Sequence, residues 1–151
     1  MRSLYAYVLT RDHLELLNLG ERRPIEEDAR CFLSLLATNR LPKGAPARAS
    51  ADAEGLLAVA RALYSSLLAK ALATLNPSVD KALASLNSSV DHLVVVPTTE
   101  LADIPFEALI GPASSPVETG SRFGALGFVV KKYTILYAPS TRQDQREGNR
   151  P

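Results

Sequence analysis

One ordered stretch constrains the fold of this chain more than any other. It runs from His92-Leu-Val-Val-Val-Pro97 through Ile104-Pro-Phe-Glu-Ala-Leu109 to Tyr133-Thr-Ile-Leu-Tyr-Ala-Pro-Ser140. The first run is continuously apolar rather than alternating, which predicts a central parallel strand buried on both faces. Pro97 has no N–H to give to a ladder and ends it. Thr98-Thr-Glu100 then forms a polar turn at the carboxyl end of the strand, where open α/β sheets keep their ligand loops. Ile104 is pushed toward an extended backbone by the proline after it. Pro105 opens a short helix, Phe106–Ile110, which Gly111-Pro112 terminates. Tyr133–Tyr137 is a second strand, closed by Pro139. The stretch predicts half of an α/β domain.

The residues upstream read as its support. Leu4–Leu9 and His13–Leu19 make an edge hairpin closed by Gly20, although its turn lacks an Asn-Gly or Asp-Gly pair. A first helix spans Pro24–Asn39, with proline at its start and Glu26, Glu27 and Asp28 near the positive end of its dipole. Ile25, Ala29, Phe32, Leu33 and Leu36 recur at helical spacing and form its core face. Leu41–Ser50, with two prolines and a glycine, is a loop. Ser50 or Asp52 caps a second helix that runs to Leu75, is apolar around much of its circumference, and covers the sheet. Asn76-Pro77 breaks or kinks it. There Ala71–Lys81 is followed directly by Ala82–His92, which matches it at most positions, a tandem duplication of about three helical turns that carries no catalytic residue types.

Composition narrows the function classes. The chain has 151 residues, 46% of them hydrophobic and 22% charged, as expected of a single globular unit. A net charge of +1 gives no electrostatic case for nucleic acid or an anionic membrane. The single cysteine, Cys31, cannot form an internal disulfide, which favours a reducing compartment. The first ten residues are too short an apolar run for a signal segment or a membrane span, so the expected location is cytoplasmic. Pro112–Gly127 reads as a loop, and Phe128–Lys132 fits either a strand or a short helix. The residues after Ser140 contain no large apolar side chain and are expected to be disordered.

In this order, the strand ending in Val-Pro, the Glu100-Leu101 pair, Ile104–Leu109 and Tyr133–Ser140 resemble the amino-terminal half of a CHAT domain. CHAT domains are caspase-like modules of the cysteine peptidase clan, often found beside tetratricopeptide repeats. Leu63-Tyr64-Ser-Ser-Leu-Leu68 stands where such domains carry a similar segment, and the opening hairpin fits their start. The resemblance implies an α/β fold, a partial caspase-like three-layer sandwich. Its parts are an N-terminal hairpin, two long helices and central parallel strands in an incomplete sheet. It also implies a histidine–cysteine dyad whose thiolate attacks a peptide carbonyl. Both of those residues belong downstream of the Ala138-Pro-Ser140 element, and the sequence closes at Pro151. The expectation is therefore a truncated domain over residues 1–140 with a polar tail over 141–151, inactive as a peptidase by itself.

No residue here is assigned a catalytic, cofactor-binding or metal-binding role. Cys31 lies on the amphipathic first helix as a packing residue. His13 sits in a hairpin turn. His92 follows Asp91, a possible orienting partner, but at the start of the strand rather than its ligand end. Two histidines and one cysteine far apart do not make a zinc site. Glu100 and Glu107 are the carboxylates nearest the loop end and read as capping or solvated groups. Gly120–Gly127 lacks the spacing of a phosphate loop, and Lys131-Lys132 is too sparse for a nucleic-acid patch. The expected function is a peptidase-related signalling or interaction module. Its expected partner is another protein, either the catalytic half or a tetratricopeptide-repeat protein, with neither nucleic acid nor membrane involved. The alternatives are the amino-terminal portion of a cysteine peptidase whose catalytic half is encoded downstream, and an unrelated small α/β binding protein. Truncation also predicts an unpaired strand edge and an exposed apolar patch.

Overall fold

The computed structural model describes residues 2–11, 13–38, 40–45, 53–75, 91–98, 101–112 and 126–139. Strands β1 (Ser3–Leu9) and β2 (Leu14–Glu21) pair antiparallel, with Leu9 opposite Leu14 and Tyr7 opposite Leu16. The Thr10 N–H donates to the His13 carbonyl at 2.8 Å and closes the turn. Leu19 bulges out between the Leu4–Gly20 and Tyr5–Asn18 pairs. Gly20 takes φ +110° at this bulge, a conformation that suits glycine, and its N–H donates to Asn18 Oδ1 at 2.8 Å.

Helix α1 spans Arg22–Thr38 and buries Ile25, Asp28, Ala29, Cys31, Phe32 and Leu35. Two expectations for it are corrected. Leu36 is exposed and Leu35 takes its place in the core, because the buried stripe follows 25, 28–29, 31–32 and 35. The helix also starts two residues earlier than Pro24, so Glu26 and Glu27 lie beyond its first turn. They pair one turn back with Arg22 and Arg23, the second pair at 2.9 Å.

The second helix is continuous from Ala53 to Leu75 but is not uniform. Helix α2 (Ala53–Leu63) passes through a π-helical turn, Tyr64–Leu68, into α3 (Ala69–Leu75). By length and composition it could cross a membrane, a property it shares with core helices of globular domains. Here Val59, Ala60, Leu63, Leu67, Leu68 and Leu72 are buried in the molecule's own core. Helix α2 packs on α1, while α3 carries the hairpin. Lys70 Nζ donates to the Asn18 carbonyl at 2.9 Å across that contact. The proposed caps at Ser50 and Asp52, the break at Asn76-Pro77, most of the eleven-residue duplication, and the tail from Ser140 lie outside the described residues.

Strands β3 (His92–Val95) and β6 (Thr134–Tyr137) form the expected parallel pair, with His92 opposite Thr134 and Val94 opposite Leu136. Between them, the Phe106–Ala108 segment is a single 3₁₀ turn rather than a helix reaching Ile110. Ile110–Gly111 instead forms β4, antiparallel to β5 (Gly127–Phe128), and Val129–Lys131 is a second 3₁₀ turn. Among the described residues the result is a partial α/β fold of three two-stranded pairs with one connected core. Phe32, Leu63, Ile104, Leu109, Val59 and Cys31 are its largest fully buried side chains.

Candidate docking surface

The ordered motifs of the sequence converge on one structural unit. Ile104 and Leu109 are fully buried on either side of the Phe106–Ala108 turn, which fixes that turn against the core. From β6, Tyr137 reaches the same turn. Its hydroxyl accepts the Phe106 N–H at 2.8 Å and donates to Glu107 Oε2. The Phe106 and Tyr137 rings also meet in a tilted arrangement with centroids 6.3 Å apart. Glu107 thus serves as an acceptor that holds β6 to the Pro105–Leu109 segment. Burial, and then donation to Glu107, push the Tyr137 hydroxyl up to about 12.

Tyr137→Phe removes both hydrogen bonds and leaves the Phe106 N–H without this acceptor. The expected cost is about 1–3 kcal/mol in chemical denaturation. Because the hydroxyl is raised above its usual value of 10, its contribution is complete below pH 10 and fades as pH rises toward 12. The wild-type protein should lose stability over that window more steeply than Tyr137→Phe, and equal slopes would contradict the role given to this hydroxyl.

A second link joins the long helix to the same unit. A Cβ placed on Gly111 would lie 2.8 Å from Tyr64 Cζ, so the Tyr64 ring occupies the space that a side chain at 111 would need. Burial raises the Tyr64 hydroxyl, the nearby Tyr133 adds to that, and Lys132 opposes it. Lys132 also lies over the Tyr133 ring, 5.3 Å from its centroid. The π-helical turn within Leu63–Leu68 therefore aims Tyr64 at β4 and the start of β6.

On this platform stands a parallel pair with one covered face. Leu93 is buried, and Val95 and Ile135 are half-buried against the core. The expectation that β3 is buried on both faces is corrected. Val94, its cross-strand neighbour Leu136 and Val96 are 63%, 53% and 55% exposed. Only the inner face meets the helical core, and among the described residues nothing packs on the outer one. This surface is the exposed apolar patch that the sequence led one to expect. It is bordered at the amino end by His92 and Thr134, which stand opposite one another.

Among the described residues, the structure gathers no reactive constellation from those weighed in sequence. Cys31 is fully buried in α1, where a thiol has no access to a peptide carbonyl. His13 lies 3.6 Å from Glu15 on the exposed hairpin, and His92 is exposed at the start of β3. Glu100 lies outside the described residues, as does most of Gly120–Gly127. No group of three metal-ligating side chains occurs among the described residues. The role of Tyr137 was not read from the sequence, where it counted only as the end of a strand. The signal that could have pointed to it is a tyrosine and a glutamate in two motifs brought together by parallel pairing.

Comparison with known families matches the description "CHAT domain" to residues 57–150, more than half of the chain. The matched span contains the π-helical turn, the parallel pair and the Pro105–Leu109 turn just described. The chain belongs to the CHAT domain family. Comparisons with curated proteins and with solved structures find no match.

Proposed function

We propose that this chain acts as a peptidase-related interaction module, a non-catalytic CHAT platform that docks a protein partner through the outer face of β3 and β6. The observation that carries the reading is the apolar tile of Val94, Leu136 and Val96 on a rigidly backed parallel pair. An antiparallel or parallel sheet face left in water alternates toward polar residues, whereas this one remains aliphatic. The partner suited to such a face presents a complementary apolar layer, as the second half of a caspase-like sandwich would. A signalling role inside the cell follows from the same reading. The burial of Cys31 supports the absence of peptidase chemistry in these residues.

The folded protein should therefore bind a hydrophobic dye. Val94→Lys with Leu136→Lys should lower that fluorescence while changing stability by only about 0.5 kcal/mol per site, because both side chains are exposed. Dye binding unchanged by the two lysines would overturn the assignment of this face. Peptide-library cleavage should stay at background, with wild type and Cys31→Ala alike. Cleavage lost on Cys31→Ala would overturn the non-catalytic reading.

A further inference from the structure

The hairpin presents a second apolar surface, on the opposite side of its ladder from the contacts with α3. Tyr5, Tyr7 and Leu9 of β1 and Leu14 and Leu16 of β2 are 53–75% exposed. Cross-strand pairing sets Tyr7 beside Leu16 and Leu9 beside Leu14, so four of the five form one continuous tile. The inner face holds Leu4, Ala6, Val8, Leu17 and Leu19, which are buried or half-buried. Both faces of the hairpin are thus apolar, although only one is covered. Residues 3–21 also precede the span 57–150 matched by the family.

We infer that this outer face is a self-association surface whose occupant is the same face of a second copy of the chain. The five side chains expose roughly 600 Å² of surface, at the upper end of what a monomer ordinarily leaves in one apolar patch. Two copies face to face bury about 1,200 Å², which reaches the lower limit of specific interfaces. No charged side chain lies within the tile, so it meets its own copy without like-charge repulsion. The ladder is also self-complementary. A two-fold axis parallel to the strands lays the β1 tyrosines of one copy over the β2 leucines of the other, with the sheets about 10 Å apart. Tyr7 of each copy then rests on Leu16 of its partner. The tyrosine hydroxyls extend to the wet rim.

The test is light scattering and sedimentation of the full chain from about 1 μM to about 1 mM, the range suited to an interface of this size. The mass should rise from 16.3 kDa toward twice that value. Tyr7→Lys and Leu16→Glu should each weaken the dimer at least about tenfold with unchanged circular dichroism and melting. Mixed in equal amounts, the two variants should regain a dimer, because the axis sets Lys at position 7 of one copy against Glu at position 16 of the other. Val94→Lys with Leu136→Lys should leave dimerisation within about twofold. A wild-type chain that stays monomeric, its hairpin left for a foreign partner, overturns the inference. So does a dimer indifferent to both hairpin variants, or a mixture that regains nothing. A dimer abolished only by the lysines at 94 and 136 also overturns it, while leaving the proposed docking face in place.

Discussion

Leu109→Ala should lower the free energy of unfolding by about 2–5 kcal/mol, the range for truncating a fully enclosed leucine. Leu109 has no exposed surface and closes the Ile104–Leu109 motif. Its carbonyl accepts the Val129 N–H at 2.9 Å, so the residue also ties the first half of the unit to the second. The neighbouring segments are held by backbone pairing on one side and by Tyr137 on the other, and cannot close in on the vacated volume. Against a total stability of about 5–15 kcal/mol, such a loss is large. Urea denaturation should show a lower midpoint at an unchanged slope. A shift worth less than about 1 kcal/mol would mean that the motif is not the anchor of the core described above.

Gly127→Ala should cost about 1–3 kcal/mol through overpacking, for a different reason. A Cβ at Gly127 would lie 2.9 Å from the carbonyl oxygens of both Gly111 and Pro112. Those are backbone atoms at the end of β4 and of the residue just after it, so no side chain can swing aside to make room. Gly111 is the instructive contrast, because the nearest atoms there belong to the Tyr64 ring, which can turn. The expected readout is faster amide exchange at Val129, whose N–H donates to the Leu109 carbonyl beside this pairing, together with a lower melting temperature. Unchanged exchange at that amide would contradict the close approach of the strands.

The order of the motifs was enough to place β3, β6 and the Pro105 turn, because proline and continuous apolar runs act locally. The hairpin was legible for the same reason. What the sequence left open depends on long-range partners. The run Leu93–Val96 reads as doubly buried, yet only one of its faces has a layer to meet, and composition cannot say how many layers exist. Ile110 fits the end of a helix by spacing, but pairing with Phe128 draws it into a strand instead. In α1 the difference between Leu35 and Leu36 is one of angular phase, decided by where α2 lies. Tyr137 and Glu107 carry no local signal of their contact, since thirty residues separate them and only the parallel register brings them together.

The π-helical turn at Tyr64–Leu68 has a consequence for how this chain tolerates changes in length. Geometrically it is one residue more than a regular α-helix needs. Five ordinary helical steps from Leu63 would carry Leu68 about 140° around the axis, yet both residues are buried. The wider turn absorbs most of that rotation. Removing one exposed residue there, such as Ser65, should restore regular winding and keep α3 beneath the hairpin, at the cost of re-aiming Tyr64 away from Gly111. Adding one residue elsewhere in the same helix would turn everything after it by about 100°. Insertions and deletions along this helix are thus sorted by angle rather than by number, and those that return the buried side to its starting direction are the ones the fold can keep.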